Sequence, residues 1–350
     1  MAANSDFLKA IHFDHPERIP LHCVVNAACW HQYSPAELQQ LLVDHPVLFP
    51  GFQPSDPVRL PASGANARAG HPYTDYWGSV WETPIEGFAG CITHFPLANW
   101  AAFDGYVPPD PGVSNGVFPV DWAQRAVGAE RARAAGNAFG GGLNHGHTFL
   151  RLEYLRGYEN LIYDMADDEP RLWQLIEMIE AFNTETVQRT LDLGASWFGF
   201  PEDLGMQVGP MLSPTHFRRF IKPSYQRMMA RVRDAGAAVH MHSDGDIREL
   251  LEDLIDGGVE CINLQDLVNG VDWIRDRLKG RVCVDLDIDR QDVTVHGTPA
   301  EIDELIRYEV STLGSPEGGL MLTYGLYPGT PLANACAVFD AMEKYSTYFA

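Results

Sequence analysis

Six short polar runs concentrate the residues able to do chemistry. They are Asn144-His145-Gly146-His147, Pro201-Glu202-Asp203-Leu204-Gly205-Met206-Gln207, His242-Ser243-Asp244-Gly245-Asp246, Gln265-Asp266, Asp287-Ile288-Asp289-Arg290-Gln291 and Tyr324-Gly325. Together they hold imidazoles, carboxylates, amides and a phenol, the groups that serve general acid–base catalysis or bind a divalent cation through nitrogen and oxygen. His242 and Asp244 stand one residue apart, so both reach one ion only from an irregular loop, with Glu202 or Asp203 completing an N/O set suited to zinc. His145 and His147 bracket a glycine and read as a metal or anion pair, a pattern that thirteen histidines also produce by chance. Bland readings stand beside these: Asp246 reads equally as a helix cap, and His240, alternating with His242, reads as a core histidine.

Each run follows a short apolar segment. Trp197–Phe200, Ala238–Met241, Cys261–Leu264, Val282–Leu286 and Leu320–Thr323 are apolar at nearly every position, as in parallel strands covered on both faces. Leu21–Val25, a segment near Gly87–Thr93 and Ala138–Leu143 bring the expected number of strands to about eight, enough to close a barrel. Helices are expected between them. Glu169 to Leu193 carries a stripe of Leu172, Leu175, Ile176, Ile179, Phe182 and Val187, and a helix from Ser213-Pro214 to Gly236 should kink at Pro223. Stripes beginning at Ile247 and at Thr298-Pro299 complete the set. The fold class expected is α/β, a (β/α)8 TIM barrel with a loop-rich N-terminal portion where prolines interrupt residues 1–137, and a single domain over residues 1–350. In such a barrel the polar runs sit at the C-terminal strand ends, where active sites form.

Composition narrows the partners. A net charge of −22 disfavours nucleic acid. No apolar run is long enough to span a membrane, and the polar start from Met1 to Ile11 has no apolar core of a secretory signal, so a cytoplasmic protein is expected. Six cysteines without CxxC spacing argue against a disulfide framework or a cysteine-only zinc site. Only four lysines and no glycine-rich phosphate loop leave little for Schiff-base or nucleotide chemistry. Trp30, His31, Trp77, Trp81 and Trp100 read as packing rather than a sugar platform.

The segments Glu202 to Gln207, Met211-Leu212-Ser213-Pro214, Phe217 to Pro223, His242-Ser243-Asp244-Gly245, Gly297 to Glu301 and Gly325 to Asn334 together resemble the uroporphyrinogen decarboxylase superfamily from about Phe149 to Ala350. Arg18-Ile19-Pro20 and Pro96 to Trp100 are consistent with it. The resemblance implies the (β/α)8 barrel and one of two chemistries: cofactor-free decarboxylation of porphyrinogen acetate arms, or zinc-dependent methyl transfer between a corrinoid protein and a thiol or folate. The decarboxylases carry an arginine-rich RQAGR segment after the first strand. Val25 to His31 has no arginine here, and an acidic chain would repel a polycarboxylate.

The methyltransferase branch is the closer, with a departure. Its thiol-activating members have a His-x-Cys pair and a second cysteine, where this chain has His242-Ser243-Asp244 and Tyr324. Oxygen groups replace both sulfurs, which implies a harder site. The expected activity is therefore methyl transfer of the demethylase type, between a small methylated compound and a corrinoid protein or folate, with zinc as the cofactor and a homodimer compatible with the family. Within it His242 would be a metal ligand or general acid/base, and Asp244 and Glu202 co-ligands or orienting groups. Tyr324 would donate a proton at the barrel mouth, and Asp203, Gln207, Asp287 and His147 would bind substrate. The alternatives are a cofactor-free decarboxylase or lyase, with Arg290 as the cation for a carboxylate, and a non-catalytic ligand-binding barrel.

Overall fold

The computed structural model describes residues 2–350, with side chains from Asp6 onward. Seven strands, β1 (Leu21–Val25), β2 (Gly140–Gly142), β3 (Trp197–Pro201), β4 (Ala238–Ser243), β5 (Cys261–Gln265), β6 (Cys283–Asp287) and β7 (Leu320–Leu326), alternate with helices among the described residues. The fold is α/β of the TIM-barrel kind, as the alternation of apolar runs and amphipathic stripes predicts. The segment near Gly87–Thr93 differs: Cys91–His94 belongs to a separate three-stranded sheet, and its positions are mostly exposed where a barrel strand would be buried on both faces.

The chain divides into two compact units. The first comprises Thr74–Trp81 and Ile92–Asn263. Its strands β2, β3 and β4 run parallel, with Gly140 opposite Trp197 and Trp197 opposite Ala238. Three glycines form β2 because its neighbours press on it. A Cβ at Gly140 would stand 2.0 Å from the Trp197 ring, and one at Gly141 2.5 Å from Thr190. The helix Pro170–Asp192 buries Leu172, Leu175, Ile176, Ile179, Phe182 and Val187, each worth about 1.5–3 kcal/mol. The helix expected from Ser213 is present with its break: Phe217–Ile221 widens into a π-turn directly before Lys222–Asp234. Pro223 has no N–H to donate one turn back, and the wider turn absorbs the missing bond. The tryptophans pack as expected: Trp77 stands edge-on to Phe182, and Arg156, paired to Asp164, lies 4.0 Å over the Trp100 ring.

The second unit comprises Ala2–Tyr73, Glu82–Cys91 and Leu264–Ala350. Here β1, β7 and β6 are parallel, with Leu21 opposite Leu322 and Leu320 opposite Val284. The helix Pro299–Leu313 opens with a capping box in which Thr298 and Glu301 satisfy each other's backbone amides. The helix Leu332–Tyr345 buries Ala335, Val338, Phe339 and Met342. No helix among the described residues is long and apolar enough to cross a membrane.

Candidate active site

The polar runs after β2, β3 and β4 all belong to the first unit, and close backbone approach sets them against one another. Gly205 and Gly245 touch: a Cβ on Gly245 would lie 2.2 Å from the Gly205 carbonyl carbon, and Gly245 adopts φ +80°. Only glycine fits both requirements. Backbone bonds fix the pairing, from Glu202 N to His242 O (3.0 Å), from Gly205 N to Asp244 O (3.2 Å) and from Gly146 N to Pro201 O (3.0 Å). The Ser243 hydroxyl accepts from Leu204 N, and Asp246 is spent locally on Arg248. Leu250 N donates to Ile247 O in a turn ahead of the helix expected from Ile247, which runs Leu251–Gly257.

This scaffold brings His145, Asp203 and His242 together. Asp203 Oδ1 lies 3.2 Å from His145 Nε2 and 3.3 Å from His242 Nε2, and it also accepts Asp244 N–H at 3.1 Å. The two rings are 5.7 Å apart, and Asp244 Oδ1 stands 3.9 Å from His242 Nε2. The His242 Nδ1–H donates to Asn263 Oδ1, which leaves Nε2 for the cluster. Burial pushes Asp203 up, but hydrogen bonds and charge from both histidines outweigh it and hold the carboxyl well below its usual range. Burial likewise pulls His242 down, and Asp203, Asp244 and Asn263 overcome this to raise it to about 9. With side chains 45, 29 and 24% exposed, His145, Asp203 and His242 can meet a ligand from solvent.

Two imidazole nitrogens and a carboxylate oxygen within 4.8 Å fit a divalent cation through N/O donors. The committed Nδ1 of His242 and the second carboxylate of Asp244 fit the same use. Proton and cation would compete for one nitrogen, so cation uptake here releases a proton.

Of the remaining residues expected at the site, Glu202 does not join the cluster. It is fully buried, and its carboxylate accepts Thr148 N–H (2.7 Å), Leu150 N–H (3.0 Å) and the Tyr225 hydroxyl. Adjacent residues on an extended chain point oppositely, so Asp203 faces the histidines and Glu202 the interior. His147 is buried between Phe200 and Tyr225, 2.7 Å from the Thr148 hydroxyl, and burial lowers its pKa. Its neighbour two positions back, His145, is the one brought to Asp203. Gln207 is exposed at the tip of a loop closed by the Gly205–Pro210 bridge.

Asp287 and Tyr324 belong to the second unit. Asp287 is buried and paired with Arg290 Nη2 at 2.5 Å, and Arg290 in turn covers the Tyr327 ring. Tyr324 is fully buried, edge-on to Phe339 of the helix Leu332–Tyr345, where desolvation raises its phenol to about 12. The expectation of a proton donor open at a strand end is not met there, because strand alternation turns Thr323 the other way, onto Asp285 (2.7 Å), and Tyr324 under the helix. Sequence reasoning passed over Asn263. Its signal was an amide inside an otherwise apolar strand, one that buries all five residues of β5.

A family model described as uroporphyrinogen decarboxylase (URO-D) matches residues 148–345. No curated protein matches the chain. Among solved structures, a methyltransferase from Methanosarcina mazei aligns over 99% of this chain and 99% of its own, with a TM-score of 0.65 and 15% identity. The YdhT protein from Bacillus subtilis aligns over 99% and 88%, with a TM-score of 0.44 and 11% identity. At 15% identity the likeness to the methyltransferase concerns the fold.

Proposed function

The chain belongs to the uroporphyrinogen decarboxylase family, and we propose that within it the protein is a cytoplasmic methyltransferase of the demethylase type, moving a methyl group between a small methylated compound and a corrinoid protein or folate. The observation that carries this reading is the His145–Asp203–His242 cluster at the strand ends of the first unit. The three side chains would hold a divalent cation of the zinc type, with Asp244 as a neighbouring carboxylate and Asn263 fixing His242. Bound there, the cation would supply Lewis acidity to the heteroatom that gives up the methyl group. The bond from that atom to the methyl carbon breaks, the electron pair stays behind on the atom, and the methyl carbon bonds to the nucleophilic acceptor. Asp203 orients both imidazoles, and Asn263 keeps His242 Nε2 turned to the cluster.

The decarboxylase alternative needs a free cation for a substrate carboxylate. Arg290 is already held by Asp287, and no arginine lies between Val25 and His31. The test is incubation of the zinc-supplemented protein with a panel of methylated ethers, amines and thiols and reduced free cobalamin, following methylcobalamin by its absorption spectrum. Methyl transfer that disappears in a folded His242→Ala variant is expected. Carbon dioxide release from a carboxylated substrate that survives chelation would replace this reading with the decarboxylase one.

A further inference from the structure

We propose that the second unit carries a separate metal site of the zinc type, built from His45, Cys336 and Asp340, which clips the chain after the helix Pro35–Asp44 to the helix Leu332–Tyr345. The three donor atoms lie within 4.8 Å of one another. Cys336 and Asp340 are one helical turn apart and so share a face, with Cys336 Sγ 3.7 Å from Asp340 Oδ2. His45 follows the end of the other helix and is 3% exposed, its ring edge-on to Phe339.

The buried imidazole is the observation that points to a ligand. Its Nδ1 lies 2.7 Å from the Leu41 carbonyl oxygen, which can only accept, so Nδ1 carries a proton. Its Nε2 is then aimed at Asp340 Oδ1, 3.3 Å away. A neutral imidazole would set a nitrogen lone pair against a carboxylate oxygen, so a cation or a second proton must lie between them. A backbone carbonyl fixing the far nitrogen is the usual support of a metal-bound histidine. Thiolate, imidazole and carboxylate make a donor set that zinc accepts, and the 71% exposure of the Asp340 side chain leaves the outer side for water.

Among the described residues Asp340 has no partners besides His45 and Cys336. Since His45 and Asp340 are 295 positions apart in sequence, a metal bridging them closes a loop of almost the whole chain and stabilises the folded state by binding it alone.

Sulfur separates this site from the His145–Asp203–His242 cluster, which has none. The probe is Co2+, whose thiolate complexes show a sulfur-to-metal charge-transfer band, together with the melting temperature in Zn2+. The expected result is a saturable band in the wild-type protein that persists in His242→Ala and is lost in Cys336→Ala, with Asp340→Asn weakening it. Zn2+ should raise the melting temperature of His242→Ala and fail to raise that of a Cys336→Ala, His242→Ala double variant. Absence of the band at saturating Co2+, or its survival in Cys336→Ala, would overturn the proposal, and neither result bears on the site in the first unit.

Discussion

A half-buried carboxyl group in one unit and a fully buried one in the other meet opposite fates. In the first unit Asp203 lies between His145 and His242 and is held ionised, well below its usual range, although burial works against it. In the second unit Glu309 is fully buried facing Asp266, and desolvation followed by the charge of Asp266 drives it well above its usual range. Asp266 is raised as well by burial, though it accepts Leu267 and Asp289 amides. No imidazole or guanidinium pairs with either among the described residues. Neighbours, and not burial alone, decide whether an interior acid is an anion or a neutral hydrogen-bonding group. An anion flanked by imidazoles is a seat for a cation, whereas an acid beside an acid keeps a proton and serves packing.

Breaking the charged side of this comparison should have the largest effect. Asp203→Asn keeps the shape but removes the anion, and methyl transfer should fall by at least about 100-fold, read as kcat/KM. Asn263→Leu leaves the three donors intact and frees the His242 ring. It should weaken zinc about 10–100-fold in calorimetric titration while the melting temperature of the zinc-free protein changes little.

A second acid of the first unit, with no imidazole against it, sharpens the rule through pH. Glu153, partly buried and raised to about 7 by desolvation and then by the charge of Glu202, binds its proton more tightly folded than unfolded. Stability should therefore fall as pH rises from about 4.5 to about 7, and Glu153→Gln should flatten that slope in urea titrations at several pH values. The smallest effect belongs to Glu309→Gln. An amide resembles the protonated acid that the upward shift favours, so stability at pH 7 should move by no more than ~1 kcal/mol, whereas a loss of several would mean that Glu309 is ionised.

Much of this was legible in the sequence because the signals were local. The apolar runs at Trp197, Ala238, Cys261 and Leu320 each became a strand, since a strand covered on both faces needs apolar residues at every position. The break at Pro223 was legible for a similar reason, a missing N–H. What pairs across the chain was not. That Asp203, and not Glu202, meets His242 depends on the outward turn of one residue in a loop, and that His145, and not His147, joins them depends on Gly146 bonding to Pro201. Tyr324 read as lying at the barrel mouth because the strand was expected to end three residues early, at Thr323: β7 runs on to Leu326, which places the tyrosine inside the alternation and beneath Phe339.

The central claim is that the His145–Asp203–His242 cluster is a cation site. Zinc titration of Cys336→Ala, which removes the sulfur-containing group in the second unit, reads that cluster alone. About one equivalent of tightly bound zinc in Cys336→Ala, lost when Asp203→Asn is added, is the result expected from two imidazoles and one carboxylate. Equal zinc binding with and without Asp203→Asn, or none in either, would contradict it.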